Sequence, residues 1–245
     1  MLCVVLLNET PADHSPLAAL MTSPWLAGAA ADLQKQLQRD VARFWPYAQD
    51  GVVRPGSGPS DVGATECPAR IIPVLDVQGA IAYHDDANGY PDVFLGSDTC
   101  STLDDVTSAL SHENTEICGD PNCDQWVTVP SGIALPQGLV AGMQIAQETD
   151  DPLQDRTYRI GNTLVADFVL PAYFDLSISG PTSLGELLGG PRLEPFNRTP
   201  GGYQLVRNAD GSGETQAFGF MSEHRKMKAR ASGSRQRRRG LRLKP

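Results

Sequence analysis

The stretch from Leu103 to Cys118 limits what this chain can fold into more than any other segment does. Its apolar residues recur at spacings of three, four and seven, the pattern of a helix with one buried face: Leu103, Val106, Leu110 and Ile117. Gly119 and Pro121 follow, as a C-capping glycine and a later proline commonly follow a helix. A helix with a single apolar face needs a second layer of structure to pack against.

That second layer is predicted to be a sheet of short strands. Three segments before the helix have strand-like patterns, 70–77, 79–86 and 92–96, and Pro73 suggests an edge or a bulge in the first. A further helix is predicted over Ser23 to Tyr47, with Pro46 ending it. The 24 glycines and 19 prolines predict extensive loops, above all in the C-terminal half. The predicted fold class is therefore α+β.

The charge of the chain is divided between an acidic body and a basic tail. Residues 223–245 contain ten Lys or Arg and one acid, a charge of +9, so the formal −9 of the whole chain leaves −18 for the rest. This tail has almost no large apolar residues and is predicted to be extended. Four of its arginines suit contact with nucleic-acid phosphates or with an acidic protein surface: Arg235, Arg237, Arg238 and Arg239. A solubilising or self-docking tail is the alternative.

The N-terminal segment is interpreted as a buried strand or an anchored terminus. Its apolar run, Leu2 to Leu7, is short for a signal peptide and has no basic residue before it. No run of about 18 apolar residues exists, so no membrane-spanning helix is predicted. We divide the chain into an N-terminal extension at 1–22, a domain at 23–222 and the basic tail at 223–245.

The five cysteines are an odd number, so the chain cannot pair all of them internally. Cys118 and Cys123 are close enough in sequence to close a small disulfide loop or to bind a metal. Two separate thiols are the alternative, and the sequence decides neither the pairing nor the redox compartment.

The predicted helix carries the start of a zinc-protease motif. In H-E-x-x-H, two histidines four residues apart hold zinc, and the glutamate after the first polarises a water molecule. This chain has His112, Glu113 and Glu116, so a carboxylate replaces the second imidazole. His112 and Glu116 are predicted to lie on one face of the helix, off its apolar stripe, where they can share an ion. Glu113 is the candidate general base. Asp120, another four residues on, could add an oxygen.

The extra carboxylate changes which metal such a site prefers. Zinc accepts Asp and Glu oxygens and stays the first candidate, but a harder, more anionic site moves the preference toward manganese, calcium or magnesium. A helix that also carries Asp104 and Asp105 could instead present a solvated acidic face. The helix pattern by itself is compatible with both interpretations.

Four segments follow one another in a recognisable order: AYHDDANGYPDVFLG, SHENTEICGDPNC, QETDDPLQDRTYRIGNTLVADFVLPAYFD and PFNRTPGGYQLV. Their order resembles a family of zincin-like, metallopeptidase-fold proteins of phages and bacteria, over about Gln34 to Val206. The chain departs from the family pattern at Ala82, where members have glycine, at Asn114 and Thr115, which replace apolar residues, and at Tyr173, where tryptophan is common. The resemblance implies a zincin-like fold, with a small mixed sheet, an N-terminal helix and a metal-site helix.

The resemblance also extends the metal site beyond the helix. By position it implies that His112 and Glu116 are metal ligands and that Glu113 is the general base. It implies Glu148, in the acidic segment ETDD, as the third ligand, with Asp151 beside it.

Two further expectations come from the same resemblance. His84, in the segment YHDD, is expected to lie beside the ligands rather than among them. The strand from Val93 to Leu95 is expected to form the sheet edge on which an extended peptide could pair.

Two functions remain open at this point. The leading hypothesis is a virion-associated structural or interaction protein of a phage, assembled with other virion proteins into an oligomer. Its metal site would be structural or vestigial, and its tail would contact nucleic acid or a neighbouring subunit. The alternative is a metal-dependent peptidase with His112, Glu116 and Glu148 as ligands. Nucleic-acid binding as the main role is weaker, because a body of −18 repels DNA.

Overall fold

Five short strands form the sheet that supports the candidate site. In the computed structural model, which describes residues 2–77, 80–86 and 89–219, these strands are β1 (Cys3–Asn8), β2 (Val52–Pro55), β3 (Cys67–Ile72), β4 (Ala82–Asp86) and β5 (Pro91–Gly96). Their order across the sheet is β2-β1-β3-β5-β4. The first four strands in this order run parallel, and β4 is antiparallel to β5. The mixed sheet confirms the α+β prediction.

The N-terminal residues belong to the domain, which corrects their assignment to an extension at 1–22. β1 lies between β2 and β3, and Val4, Val5 and Leu6 are fully buried. A parallel strand covered on both faces reads as a continuous apolar run, which is the pattern of these residues. The interpretation of Leu2 to Leu7 as a buried strand was therefore the better one.

A second correction concerns the edge of the sheet. Val93 to Leu95 lie in β5, which pairs with β3 on one side and β4 on the other. Within the described residues the edge strands are β2 and β4. The resemblance therefore placed the edge one strand away from where the structure has it.

Local capping explains where the two main helices begin. α1 (Pro16–Leu20) precedes α2 (Ser23–Gln36), whose N-cap is the side chain of Thr22. A π-helical turn, Leu37–Val41, continues α2, and a separate 3₁₀ turn, Pro46–Ala48, begins at Pro46. α3 (Leu103–Gly119) starts with a capping box between Thr102 and Asp105. No helix of the described residues is long and apolar enough to cross a membrane.

α3 packs between the sheet and the C-terminal half. Its residues Val106, Leu110 and Ile117 are fully buried in the main core. The helix contacts β4, β5 and a later strand, β9 (Thr163–Ala166). The side chain of Ser111 accepts the N–H of Ala166 and donates to Gln36, which joins α3 to α2 and β9. These contacts fix the rotation of the helix, and with it the face that presents the candidate ligands.

The C-terminal half contains two further antiparallel sheets joined by long loops. One has the order β11-β10-β7-β6, and the other is the hairpin of β8 and β9. The strands are β6 (Trp126–Thr128), β7 (Gln144–Ala146), β8 (Thr157–Ile160), β9 (Thr163–Ala166), β10 (Tyr203–Arg207) and β11 (Thr215–Phe218), with short helices α4 (Pro171–Phe174) and α5 (Leu184–Leu187). The predicted basic tail at 223–245, with its four arginines, lies outside the described residues.

Candidate metal centre

Four elements bring ionisable side chains together beside α3. The helix supplies His112, Glu113 and Glu116, and β4 supplies His84. The loop after β7 supplies Glu148 and Asp151, and Asp151 begins a 3₁₀ turn, Asp151–Leu153. β10 supplies Tyr203. These residues line one small cavity. Sequence positions 84 to 203 therefore converge on a single site.

One group of candidate ligands contains His112, Glu116 and Asp151. The Nε2 atom of His112 lies 3.2 Å from Oε1 of Glu116 and 3.3 Å from Oδ1 of Asp151. One ligand atom from each of the three residues could hold a metal ion. The predicted pair His112 and Glu116 thus lies together, and Asp151 is the acid that the structure places beside it.

A second group contains His84, Glu113 and Glu116. The Nδ1 atom of His84 lies 2.9 Å from Oε2 of Glu113 and 3.6 Å from Oε2 of Glu116, and all three residues are buried. This group could also hold a metal ion. The predicted third ligand, Glu148, lies on the other side of the His84 ring, with its Oε2 atom 4.0 Å from Nε2. His84 is therefore in ligand position, whereas the sequence suggested a supporting one.

Buried hydrogen bonds position the acidic loop against the helix. The hydroxyl of Thr115 donates to Oδ2 of Asp150, and the hydroxyl of Thr149 donates to the same atom at 2.7 Å. The side chain of Gln147 donates to the carbonyl of Gly119 at 2.8 Å, at the end of α3. Burial raises the pKa of Asp150 to about 7, against the opposing effects of His112 and the two hydroxyls. These bonds hold Asp151 over the helix.

Asp120 has a different role from the one predicted. α3 ends at Gly119, and the carboxylate of Asp120 accepts the backbone N–H groups of Asp124 and Gln125. It belongs to neither candidate ligand group. It instead shapes the loop that brings Cys123 to β4, where its sulfur lies 3.7 Å from the carbonyl oxygen of His84. All five cysteines are described, and none forms a disulfide.

The charges around the cavity are unbalanced. Of the described residues that line it, four are carboxylic acids and none is Lys or Arg. Burial opposes protonation of His112, but Glu116, Asp151 and Asp150 outweigh it and raise its pKa well above the ordinary value. Burial itself raises the pKa of Glu116. Protons or a cation must therefore compensate the buried negative charge.

The pKa values of His84 and Tyr203 are also shifted by burial and by the neighbouring acidic groups. Burial opposes protonation of His84, but Cys123, Glu113 and Glu148 outweigh it and raise its pKa well above the ordinary value. Burial, followed by the charges of Asp151 and Glu116, raises the pKa of Tyr203. Tyr203 was not among the predicted site residues, although the P-G-G-Y segment of the resemblance contains it.

The donor set fits a divalent cation. Nε2 of His84 and Oε1 of Glu116 are buried and make no well-directed hydrogen bond within the described part of the chain. Imidazole nitrogens and carboxylate oxygens bind zinc and manganese, at about 2.0–2.2 Å for zinc, so donors on one ion lie about 3.0–3.5 Å apart. The distances within the first group, 3.2 and 3.3 Å, are of this size, and those within the second group, 2.9 and 3.6 Å, lie just below and just above it. The cavity measures about 30 Å³, which leaves space for ions and water but not for a peptide.

Comparison of the chain with protein-family models, with curated proteins and with solved structures found no match.

Proposed function

We propose that this chain is a metal-dependent hydrolase that cleaves amide bonds, the peptidase alternative raised by the zincin-like resemblance. The observation that carries the proposal is the position of Glu113. It is a buried carboxylate next to the group of His112, Glu116 and Asp151, and it does not belong to that group. A metal site with an adjacent carboxylate has the parts that hydrolysis requires.

Each residue of the site has a separate task. His112, Glu116 and Asp151 would hold the cation, which when bound supplies Lewis acidity to a carbonyl or a water molecule. Glu113 would accept the proton of the attacking water and transfer it to the leaving nitrogen. The contact between Glu113 and His84, at 2.9 Å, fixes the direction of this carboxylate.

An extended peptide is the substrate class that the neighbouring strand suits. The N–H of Gly96 donates to the carbonyl of Ile81, so by antiparallel alternation Ala82, His84 and Asp86 direct their backbone groups away from β5. A peptide could add to this edge by main-chain hydrogen bonds. The contact of Cys123 with the His84 carbonyl occupies part of the edge, so binding requires the loop at 120–125 to move.

The leading hypothesis of the sequence analysis, a virion-associated structural or interaction protein, is the second candidate. One observation favours it: the candidate ligands are almost fully buried around a cavity of only about 30 Å³. A closed site of this kind suits a structural metal better than turnover. Its partners, its oligomeric assembly and any contact of the tail with nucleic acid stay predictions.

A comparison of Glu113→Gln with a matched control separates the two functions. The protein is incubated with Zn²⁺ or Mn²⁺ and assayed on a library of internally quenched peptides. We expect the wild type to cleave and Glu113→Gln to lose about 10² to 10⁴ in rate, the usual effect of a general base. Glu194→Gln, a change at an exposed glutamate, should leave the rate unchanged.

The metal content of the same samples completes the experiment. Glu113→Gln should still bind metal, because His112, Glu116 and Asp151 are intact. Metal binding without cleavage of any peptide by the wild type would reject the hydrolase proposal and leave the structural role. Equal cleavage by wild type and Glu113→Gln would reject the task given to Glu113.

A further inference from the structure

The two oxygens of Glu116 face different histidines. Oε1 lies 3.2 Å from Nε2 of His112, and Oε2 lies 3.6 Å from Nδ1 of His84. A carboxylate that bridges two metal ions presents one oxygen to each of them. Glu116 is also the only residue shared by the two candidate ligand groups found in the described residues.

We propose that the site binds two divalent cations, bridged by Glu116. The first lies among His112, Glu116 and Asp151, and the second among His84, Glu113 and Glu116. This inference rests on the metal binding in the proposed function. It changes the number of ions, and it makes Glu113 a ligand of the second ion instead of the general base. A pair of ions about 3.5–4 Å apart is the arrangement that hydrolases use to stabilise attacking and leaving oxygens together.

The distances agree with two separate ions. Within the first group the histidine nitrogen lies 3.2 and 3.3 Å from its carboxylate neighbours, and within the second group 2.9 and 3.6 Å. Donors that share one ion at about 2.0–2.2 Å are separated by about 3.0–3.5 Å. Each histidine is thus within ligand-to-ligand distance of its own pair of carboxylates.

Two divalent cations would balance the negative charge of the cavity without added protons. Its four lining carboxylates, when ionised, carry −4: Glu113, Glu116, Glu148 and Asp151. One divalent cation leaves −2 in a buried space without Lys or Arg, whereas two cations with neutral histidines leave no net charge. The cavity of about 30 Å³ has room for about two water-sized spheres.

Two buried atoms support this arrangement independently of the distances, one on the bridging carboxylate and one on the far side of the His84 ring. His84 and Glu116 are only 3% and 4% exposed, yet Nε2 of His84 and Oε1 of Glu116 lack a well-directed hydrogen bond among the described residues. With Nδ1 of His84 on the second ion, Nε2–H faces Glu148 at 4.0 Å. A carboxylate behind a ligating histidine is a common means of orienting the ring. This gives Glu148, the predicted third ligand, a place in the site.

Titration with Mn²⁺ tests the stoichiometry directly. Metal-free protein is titrated with Mn²⁺, and bound metal is measured by elemental analysis and by electron paramagnetic resonance. We expect two Mn²⁺ per chain, with the six-line signal of an isolated ion broadened by coupling between neighbouring ions. This measurement on the wild type requires no variant to fold.

Three histidine variants locate the ions. His84→Ala and His112→Ala should each retain one Mn²⁺ and show the six-line signal. His14→Ala, a change at a histidine that does not line the cavity, should retain two. Circular dichroism checks that each variant is folded. A single Mn²⁺ in the wild type, uncoupled and unaffected by His84→Ala, would overturn the inference. A single Mn²⁺ lost in both His84→Ala and His112→Ala would overturn it as well, because one ion is then shared by both histidines.

The outcomes separate this inference from the proposed function. One ion together with peptide cleavage that depends on Glu113 leaves the hydrolase standing and removes the second ion. Absence of bound metal at millimolar Mn²⁺ removes both proposals.

Discussion

The substitution Asn114→Leu is predicted to stabilise the protein. Asn114 lies on α3 and is only 4% exposed, and neither atom of its side-chain amide has a protein hydrogen-bond partner within the described residues. It borders a small cavity of about 10 Å³, whose other walls come from β1, α2, β2 and the π-helical turn. The neighbours there are largely apolar, including Leu2, Val4 and Leu33. A buried amide in such surroundings opposes folding.

The size of the effect follows from the amide and from the added apolar surface. Burying an amide without a hydrogen bond costs about 1–3 kcal/mol in proteins, and a buried leucine side chain contributes about 1.5–3 kcal/mol. Leucine has the same number of side-chain heavy atoms and the same branching as asparagine, but its methyl groups are larger, which costs about 1 kcal/mol in a tight core. These terms together favour the variant by about 1.5–5 kcal/mol. Because the cavity measures only about 10 Å³, we expect the lower part of this range, about 2 kcal/mol, or roughly 4–8 °C in melting temperature for a domain of this size.

The assay compares Asn114→Leu with Thr115→Val on the next residue. Thermal and urea unfolding are followed by circular dichroism with a chelator present, so that metal binding does not contribute. Thr115→Val should lower the stability by about 1–3 kcal/mol, because it removes the hydroxyl that donates to the buried Asp150. An Asn114→Leu protein less stable than the wild type would refute the reasoning, since a bound water or an unrecognised partner then satisfies the amide.

Two further predictions concern polar side chains that are not themselves candidate metal ligands. Ser111→Ala should lower the free energy of unfolding in urea by about 2–3 kcal/mol, because the N–H of Ala166 and Oε1 of Gln36 lose their buried partner. The control is Ser108→Ala, at a half-buried serine on the same helix. An equal effect of both changes would contradict the prediction. Hydrogen bonds from Arg54, Cys3 and the backbone of Gly63 lower the pKa of Glu66 to about 2. Because this pKa is lower in the folded state, the contribution of Glu66 is complete above about pH 4.5 and is lost as the pH falls toward 2. Glu66→Gln should therefore lower the free energy of unfolding by at most about 1 kcal/mol at pH 6, because the ion pair is partly exposed. The difference between variant and wild type, measured by urea unfolding, should be smaller at pH 3. A difference that grows on acidification would contradict the prediction.

The parts of the fold that local sequence determines were predicted well. The start of α2 at Ser23 follows from the capping side chain of Thr22, which acts within a few residues. α3 ends close to the predicted position, but its C-cap is Asp120, and Gly119 is still helical and is not a left-handed cap. The strand order could not be predicted, because it depends on contacts between distant segments. β1 pairs with β2 and β3, about 50 and 65 residues away in sequence, and nothing in its own six residues specifies those partners.

In the candidate site too, the features set by local sequence were predicted, and those set by contacts between distant segments were not. His112 and Glu116 are four residues apart on one helix, so their proximity follows from helix geometry. Asp120 lies just past the end of α3, where helix spacing no longer determines the direction of a side chain, so its position relative to the ligands could not be predicted. The segment ETDD offers several acids, and local spacing could not choose between Glu148 and Asp151. The bond from Thr115 to Asp150 makes that choice, because it fixes the loop so that Asp151 is the acid beside His112.

The same contacts identify which part of the site must move if a peptide is to enter. The loop that carries Asp151 packs tightly against the end of α3. A Cβ on Gly119 would lie 2.6 Å from the methyl carbon of Thr149, so the Thr149 side chain lies as close to the helix backbone as glycine permits. The loop at 120–125 touches β4 by the longer contact of the Cys123 sulfur with the His84 carbonyl. Opening at 120–125 would expose the strand edge and leave the ligands in place. Opening at 147–151 would separate Asp151 from His112, so a hydrolase built on this fold would open at the loop that carries no ligand.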